Sequence, residues 1–271
     1  SAPTRSATAN EALLLGRYYE QQVRSSQEVN SELLIKAIDH YRDAVELDPE
    51  SALAHSRLAG ALLYLGDIDA AEAPIFKALS LDPTLSEAQH TMGLYYFARG
   101  RPEAYATLER AVELDPDNAD ALTDYGFARW MHAKEEGVAD LYRLALEIDR
   151  HSLSRYAALG EILGKQGKVS EVDELIQRVD ERFDGPDAYR LNSRLLELTG
   201  KIDEAIAWAI RARDAEPGND DHVAWLAELY TEIGDLETAL RLDANPSIGL
   251  LFRMQRYADL IPVAEELMID E

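Results

Sequence analysis

Four sets of residues in this 271-residue chain have types and spacings that suggest chemistry: the histidines, a glycine-lysine run, a cluster of aspartates, and a pair of arginines. The histidines are His40, His55, His90, His132, His151 and His222. No two stand four apart with a glutamate between them, so the pattern of a zinc protease is missing. His55 and His90 fall on comparable stretches of chain, but two imidazoles alone hold a metal poorly. Gly160-Glu161-Ile162-Leu163-Gly164-Lys165 has the outline of a phosphate loop. It is one residue short, and Gln166 stands where a hydroxyl should meet magnesium. Asp115, Asp117 and Asp120 lack the central glycine and distal glutamate of a calcium loop. They are expected to cap the helix that follows. With no cysteine, thiolate metal sites, disulfides and cysteine nucleophiles are excluded. No Gly-x-Ser-x-Gly element occurs. No catalytic residue, metal or cofactor is therefore expected.

Arg190 and Arg194 stand four apart on one helical face, and Lys165 lies one unit earlier. Together they could receive a peptide carboxylate. The competing reading pairs them with Glu161 and Glu197, since exposed ion pairs are common and weak.

Charge narrows the partner. The chain carries 51 acidic and 27 basic residues, a formal net charge of −24, split evenly between its halves. Phosphate binding needs clustered Lys and Arg, so direct nucleic-acid binding is not expected. The excess of acid keeps an extended surface soluble, and its sharper meaning is a basic partner. No apolar run reaches the roughly 18 residues of a membrane span, so no membrane insertion is expected. A soluble protein of the bacterial cytoplasm or periplasm fits. Ser1 to Ala9 are small and polar like a linker, and the chain reads as a segment of a longer protein.

The elements that would position any site come from an internal repeat. Leu47-Asp48-Pro49, Leu81-Asp82-Pro83 and Leu114-Asp115-Pro116 recur every 33 to 34 residues. Gly66, Gly100, Gly167, Gly200 and Gly234 follow the same period, with Ala133 filling the missing step. So do Ala44, Ala78, Ala111, Ala145 and Ala212, with Val179 between the last two. The glycine suits a tight turn after one helix. Ala59, Gly93, Gly126, Gly160 and Ala227 allow close helix approach, and the proline ends the second helix. His55, Leu58, Ala59 and Leu62 form the i, i+3, i+4, i+7 stripe of a buried helical face. So do Gln89, Met92, Gly93, Tyr96; Tyr156, Leu159, Gly160, Leu163; and Val223, Leu226, Ala227, Tyr230.

This pattern resembles the tetratricopeptide repeat over nearly the whole chain. The resemblance implies an all-α, right-handed α-solenoid of about seven to eight helix hairpins. The units are expected near 10–51, 52–85, 86–118, 119–152, 153–185, 186–219 and 220–246, with a degenerate one at 247–271 and a flexible linker at 1–9. The first unit holds an extra stretch around Arg24 to Glu32. Arg150 and Asp184 replace the closing proline, so those two turns are expected to differ. Pro74 and Pro262 should kink their helices or delay their starts, and the seventh unit looks truncated at Asn245-Pro246.

More narrowly, the stretch from Asn10 to Tyr19, together with Ala37 to Pro49, resembles the opening of C-terminal repeat regions in bacterial winged-helix transcriptional regulators and class III adenylate cyclases. That resemblance implies a regulatory module. Family members that grip chaperone C-termini use a Lys and Asn clamp. The matching places here are Ser56 and Gly60, so that activity is not carried over.

In such stacks the first helices line a concave groove suited to a peptide. The second, fifth, ninth, twelfth and thirteenth places of each unit face it. Units two to four then present Leu63, Tyr64, His90, Leu94, Phe97, Phe127, Trp130 and Met131. Units five to seven present Glu161, Lys165, Arg190, Arg194, Glu228, Thr231 and Glu232. The apolar half is the expected binding face, because aromatic residues dominate interface hot spots. The other reading packs these rings against neighbouring helices. The expected function is a protein- or peptide-binding scaffold. The alternatives are a homodimer through the terminal repeats, around Leu250, Leu251, Phe252 and Met254, or a repeat region attached to a catalytic domain outside this chain.

Overall fold

Alternating short and long apolar side chains at helical spacing, cut every 33 to 34 residues by turn signals, can bury themselves only as paired helices. The computed structural model describes residues 5–25, 31–131 and 136–242. All regular structure among them is helical, in fourteen helices. The chain divides into two compact units after Arg150. The first holds α1 (Arg5–Ser25), α2 (Ser31–Leu47), α3 (Ala52–Leu65), α4 (Ile68–Leu81), α5 (Ser86–Ala98), α6 (Glu103–Leu114), α7 (Ala119–Met131) and α8 (Val138–Ile148). The second holds α9 (Leu153–Lys165), α10 (Val169–Arg182), α11 (Pro186–Leu198), α12 (Ile202–Ala215), α13 (Asp220–Glu232) and α14 (Leu236–Leu242). Within each unit, consecutive helices pair as hairpins, and each hairpin leans on the next: α3 on α5 and α5 on α7 in the first, α9 on α11 in the second. This is the stacking of an α-solenoid. No helix among the described residues is long and apolar enough to cross a membrane.

Five of the turns inside hairpins are closed in the same way. Gly66 has φ 88°, the left-handed region that other residues enter only at a cost. Its N–H donates to Leu63 O at 3.0 Å, and Asp67 N–H donates to Leu62 O at 2.9 Å. These two bonds satisfy carbonyls that the ending helix leaves open. Gly100, Gly167, Gly200 and Gly234 repeat both bonds. The turns of the first and fourth hairpins fall at residues 26–30 and 132–135, outside the described residues. Ala133 is among these, and the left-handed glycine described in the fourth hairpin is Gly137, directly before α8.

Turns between hairpins have their own device. His55 Nε2 donates to Pro49 O at 3.0 Å, and Gln89 Nε2 donates to Pro83 O at 2.8 Å. His222 Nε2 meets Glu216 Oε2 at 3.1 Å with the same six-residue reach. In these three hairpins a polar side chain near the start of the first helix thus ties it back to the end of the preceding one.

Small residues set the spacing of the helices. A Cβ on Gly93 would lie 2.6 Å from Leu108 Cδ2 and 3.3 Å from Leu108 N. On Gly16 it would strike the Tyr41 ring at 2.5 Å, and on Gly126 the Tyr142 ring at 3.0 Å. In each case the side chain filling the gap belongs to the second helix of the same hairpin.

Several expectations need correction. Residues 5–9, expected as linker, are the first turns of α1, and Ala9 is buried. The ends of the extra stretch at Arg24–Glu32 belong to helices, with α1 running to Ser25 and α2 starting at Ser31, and residues 26–30 lie outside the described residues. Helix α4 runs through Pro74 without a delayed start. The Asp67 side chain caps it, and fully buried Ala71, Ile75 and Ala78 hold it on both sides of the proline. Helix α7 is capped by Asn118, whose Oδ1 accepts from Ala121 N at 3.0 Å, and not by the nearby aspartates. Asp115 Oδ1 instead accepts from Asp117 N within the turn. Where Asp184 replaces a closing proline, Pro186 opens α11 at its first turn, a position where a missing N–H costs nothing. The truncation at Asn245-Pro246, Pro262, the degenerate unit at 247–271 and the terminal cluster at Leu250 lie outside the described residues.

One core position breaks the pattern. Leu58, Met92, Leu159 and Leu226 are buried at the seventh place of their helices, where α11 has Asn192. Its side chain is completely buried, and neither its Oδ1 nor its Nδ2 has a partner. Burial of an amide without hydrogen bonds costs about 1–3 kcal/mol. Asn192→Leu should therefore raise stability by about that amount. Gly93→Ala should lower it by about 1–3 kcal/mol, because the new methyl would meet the buried Leu108 side chain at 2.6 Å. Urea unfolding of both variants against the parent checks the two signs.

Candidate functional site

In the first unit, helices α3, α5 and α7 lie side by side and carry a surface that divides along their length. Near the helix starts it is polar and cross-tied. Arg57 reaches Glu87 of α5 on one side and Glu20 of α1, at 3.9 Å, on the other. Tyr41 also donates to Glu20, at 2.6 Å, and burial pushes the Tyr41 hydroxyl well above its ordinary pKa. Ser56 Oγ and Thr91 Oγ1 are 3.2 Å apart. His90 Nε2 meets Asp124 Oδ2 at 2.6 Å. His90, expected as a groove contact, is thus engaged by the neighbouring helix. Among the described residues no group of three His, Asp or Glu side chains converges for a metal.

About two turns further on, roughly 10 Å along the axis, the same surface is apolar. Tyr64, Phe97, Phe127 and Met131 are between 40% and 59% exposed. Phe97 and Phe127, from successive hairpins, have ring centroids 5.7 Å apart with planes at 60°. Leu94 and Trp130 are half-buried beside them in the register. Leu63 packs on the core cluster of the first hairpins, which removes much of its side chain from the surface. The expected apolar residues therefore separate into exposed rings with Met131, half-buried flanks, and one core edge.

The second unit is charged at the corresponding places. Arg194 stands 3.5 Å from Glu161, and Arg190 stands 3.6 Å from Asp221. Lys165 is exposed at the end of α9. A peptide carboxylate arriving here would compete with acids already in place. Glu197 of α11 is held above the ordinary glutamate range, first by burial and then by the Glu232 carboxylate, while Arg194 pulls the other way.

The cross-helix ties were missed in the sequence. Their signal is a polar residue at the fifth place of one first helix and at the sixth place of the next. Ser56 with Thr91 and His90 with Asp124 both fit it.

No protein-family model matches the chain. Locally it is similar to small glutamine-rich tetratricopeptide repeat-containing protein 2 of Mycosarcoma maydis, 35% identical over 83 residues. That stretch is 30% of this chain and 24% of the fungal protein. It is also 24% identical over 104 residues to the Hsp70-Hsp90 organizing protein of Triticum aestivum, covering 38% of this chain and 18% of that protein. The chain thus spans a quarter or less of the length of these curated relatives. Among solved structures, PilF of Pseudomonas aeruginosa superposes with a TM-score of 0.61 at 20% identity, over 83% of this chain and all of that one. The type IV pilus biogenesis factor PilW gives 0.61 at 19% identity, over 78% and 94%. A tetratricopeptide repeat protein from Parabacteroides merdae gives 0.57 at 14%, over 87% and 91%. At these identities the solved structures speak to the fold.

The Glu197 shift yields a pH dependence with a definite sign. A raised carboxyl pKa means that the folded state binds more protons than the unfolded state. The Glu197 contribution to stability is therefore greatest below the unfolded value and is lost as pH rises from there through the raised folded value. Glu197→Gln should flatten that decline and increase stability at neutral pH. The difference in urea midpoint between parent and variant, followed across the carboxylate range, checks it, and a difference that does not change with pH would contradict it.

Proposed function

We propose that this chain, a tetratricopeptide-repeat protein by fold and local sequence, is a non-enzymatic binding module. It captures an apolar protein segment along the ends of α3, α5 and α7. The observation that carries this reading is the Phe97–Phe127 pair. Two rings from successive hairpins touch each other, yet each keeps 40% or more of its surface exposed. A ring pair packed for stability alone would be covered, whereas here it forms a ready face for a guest side chain. The polar ties at the helix starts hold the three helices in place, so little ordering remains for binding to cost.

The relatives support the class of function. One is named for organizing two other proteins and another for a part in pilus biogenesis. The finer reading is a regulatory module of a bacterial signalling or transcription-regulating protein. It is supported by the opening from Asn10 to Tyr19 and Ala37 to Pro49.

The test is selection of displayed random peptides on the parent chain, followed by affinity measurement on Phe97→Ala/Phe127→Ala. Enriched peptides should carry bulky apolar anchors and bind the double variant at least tenfold more weakly, about 1.4 kcal/mol. Melting should be nearly unchanged, because both rings are exposed. Equal binding by the double variant, or its collapse on heating, would remove the rings from the role assigned to them.

A further inference from the structure

The ring face of the first unit continues, on the same helices, into a charged stretch. Along α7, Asp120, Asp124, Phe127 and Met131 follow at steps of four, three and four residues, so they share one helical face. Along α5, Glu87, His90, Leu94 and Phe97 follow at steps of three, four and three. Both helices therefore read the same way from start to end, acid first and apolar side chain last. Asp124 lies about one turn before Phe127, and Asp120 about two turns before it, roughly 10 Å along the axis.

The cations at this end are shared among more acids. Arg57 serves both Glu87 and Glu20. Asp124 meets His90 at 2.6 Å, and that imidazole is charged only when protonated. Arg17 of α1 acts on the Tyr41 hydroxyl, which donates to Glu20. Glu20, Glu87, Asp120 and Asp124 thus stand with Arg17, Arg57 and one imidazole. The side chains of Asp124 and Glu87 are 35% and 33% exposed, so an incoming group can reach them. At the other end of the helices the arginines are turned elsewhere. Arg99 meets Asp69 and Glu72 of α4. Arg129 donates to Glu136 O at 2.6 Å and lies over the Tyr125 ring.

We infer that the guest of the ring face is a protein segment with a bulky apolar anchor and Lys or Arg about 10 Å from it, a reading that rests on the ring face being the binding surface. The anchor sits on Phe97 and Phe127, and the cations lie along Asp124 and Asp120. A basic group there enters a surface with an excess of carboxylates, whereas an acidic group meets like charge, which is costly across an interface. In an extended guest this separation is about three residues. The net charge of −24 adds attraction at longer range. A second copy of this chain fits poorly, because a two-fold pairing through this face would set the same acids against each other.

The experiment uses the full chain and three labelled peptides of about 12 residues, roughly 40 Å when extended. All carry the same Leu-Phe-Leu anchor, followed about three residues later by a pair of Lys, of Gln or of Glu. By fluorescence anisotropy at low salt, the Lys peptide should bind at least tenfold more tightly than the Glu peptide, with the Gln peptide between them. Added salt should narrow that gap. Asp120→Asn/Asp124→Asn should narrow it too and leave the Gln peptide unchanged, since asparagine at 124 still offers His90 an acceptor. Phe97→Ala/Phe127→Ala should weaken all three peptides. Equal affinities in the parent, tighter binding of the Glu peptide, or a gap indifferent to salt would overturn the inference and leave the ring face standing. Binding of no peptide, or binding that the phenylalanine variant does not weaken, would remove the ring face and the inference with it. A dimer in light scattering that the phenylalanine variant dissolves would give the face to a second copy.

Discussion

The structure depends on how closely the two helices of a hairpin approach. In the first unit the eighth place of each first helix holds a glycine or alanine, and at three of them a large side chain from the second helix fills the space left open. Tyr41 fills it opposite Gly16, Leu108 opposite Gly93 and Tyr142 opposite Gly126. Leu108 and Tyr142 are almost fully buried in this way. Dispersion falls off steeply with distance, so a gap of even half an ångström would forfeit much of the contact. Once this spacing is set, the faces pointing to the neighbouring hairpin and to the binding surface follow from helical geometry.

That geometry lets one helix serve two purposes. The stripe facing its partner helix is apolar and closed. The opposite surface is free to vary, and in the first unit it varies along the helix axis. At the starts, Arg57, Glu87, Ser56, Thr91, His90 and Asp124 bind neighbouring helices to one another. At the ends, aromatic rings are left partly uncovered. Polar ties give orientation with little apolar burial, and the exposed rings leave hydrophobic surface for a partner. In the second unit the corresponding surface is charged, and its arginines face acids of their own chain.

Much of this was legible before any coordinates. Helices α3, α5, α7, α9, α11 and α13 begin at Ala52, Ser86, Ala119, Leu153, Pro186 and Asp220, where the period places them. The reason is local: glycine at φ near 80°, closing carbonyl bonds and helix spacing all act within one hairpin. The readings that failed were those in which a local preference met a stronger neighbour. A delayed start was one of the two effects expected of Pro74, but α4 starts at Ile68, with Ala71, Ile75 and Ala78 buried around the proline. The small polar stretch at 5–9 reads as linker, yet Ala9 finds a buried place on α1. Asn118 took the capping role assigned to the aspartates because it sits at the helix boundary itself.

By itself, the sequence determined the repeat and the helix pairs. Period, turn chemistry and apolar spacing are properties of adjacent residues and can be read along one dimension. Which outward residues touch, and which stay open, was decided only in three dimensions. Arg57 joining Glu20 to Glu87 and Phe97 meeting Phe127 both depend on hairpins some 30 or more residues apart. Contacts between hairpins are set by the packing distance and rotation of whole helices, and no single repeat encodes them.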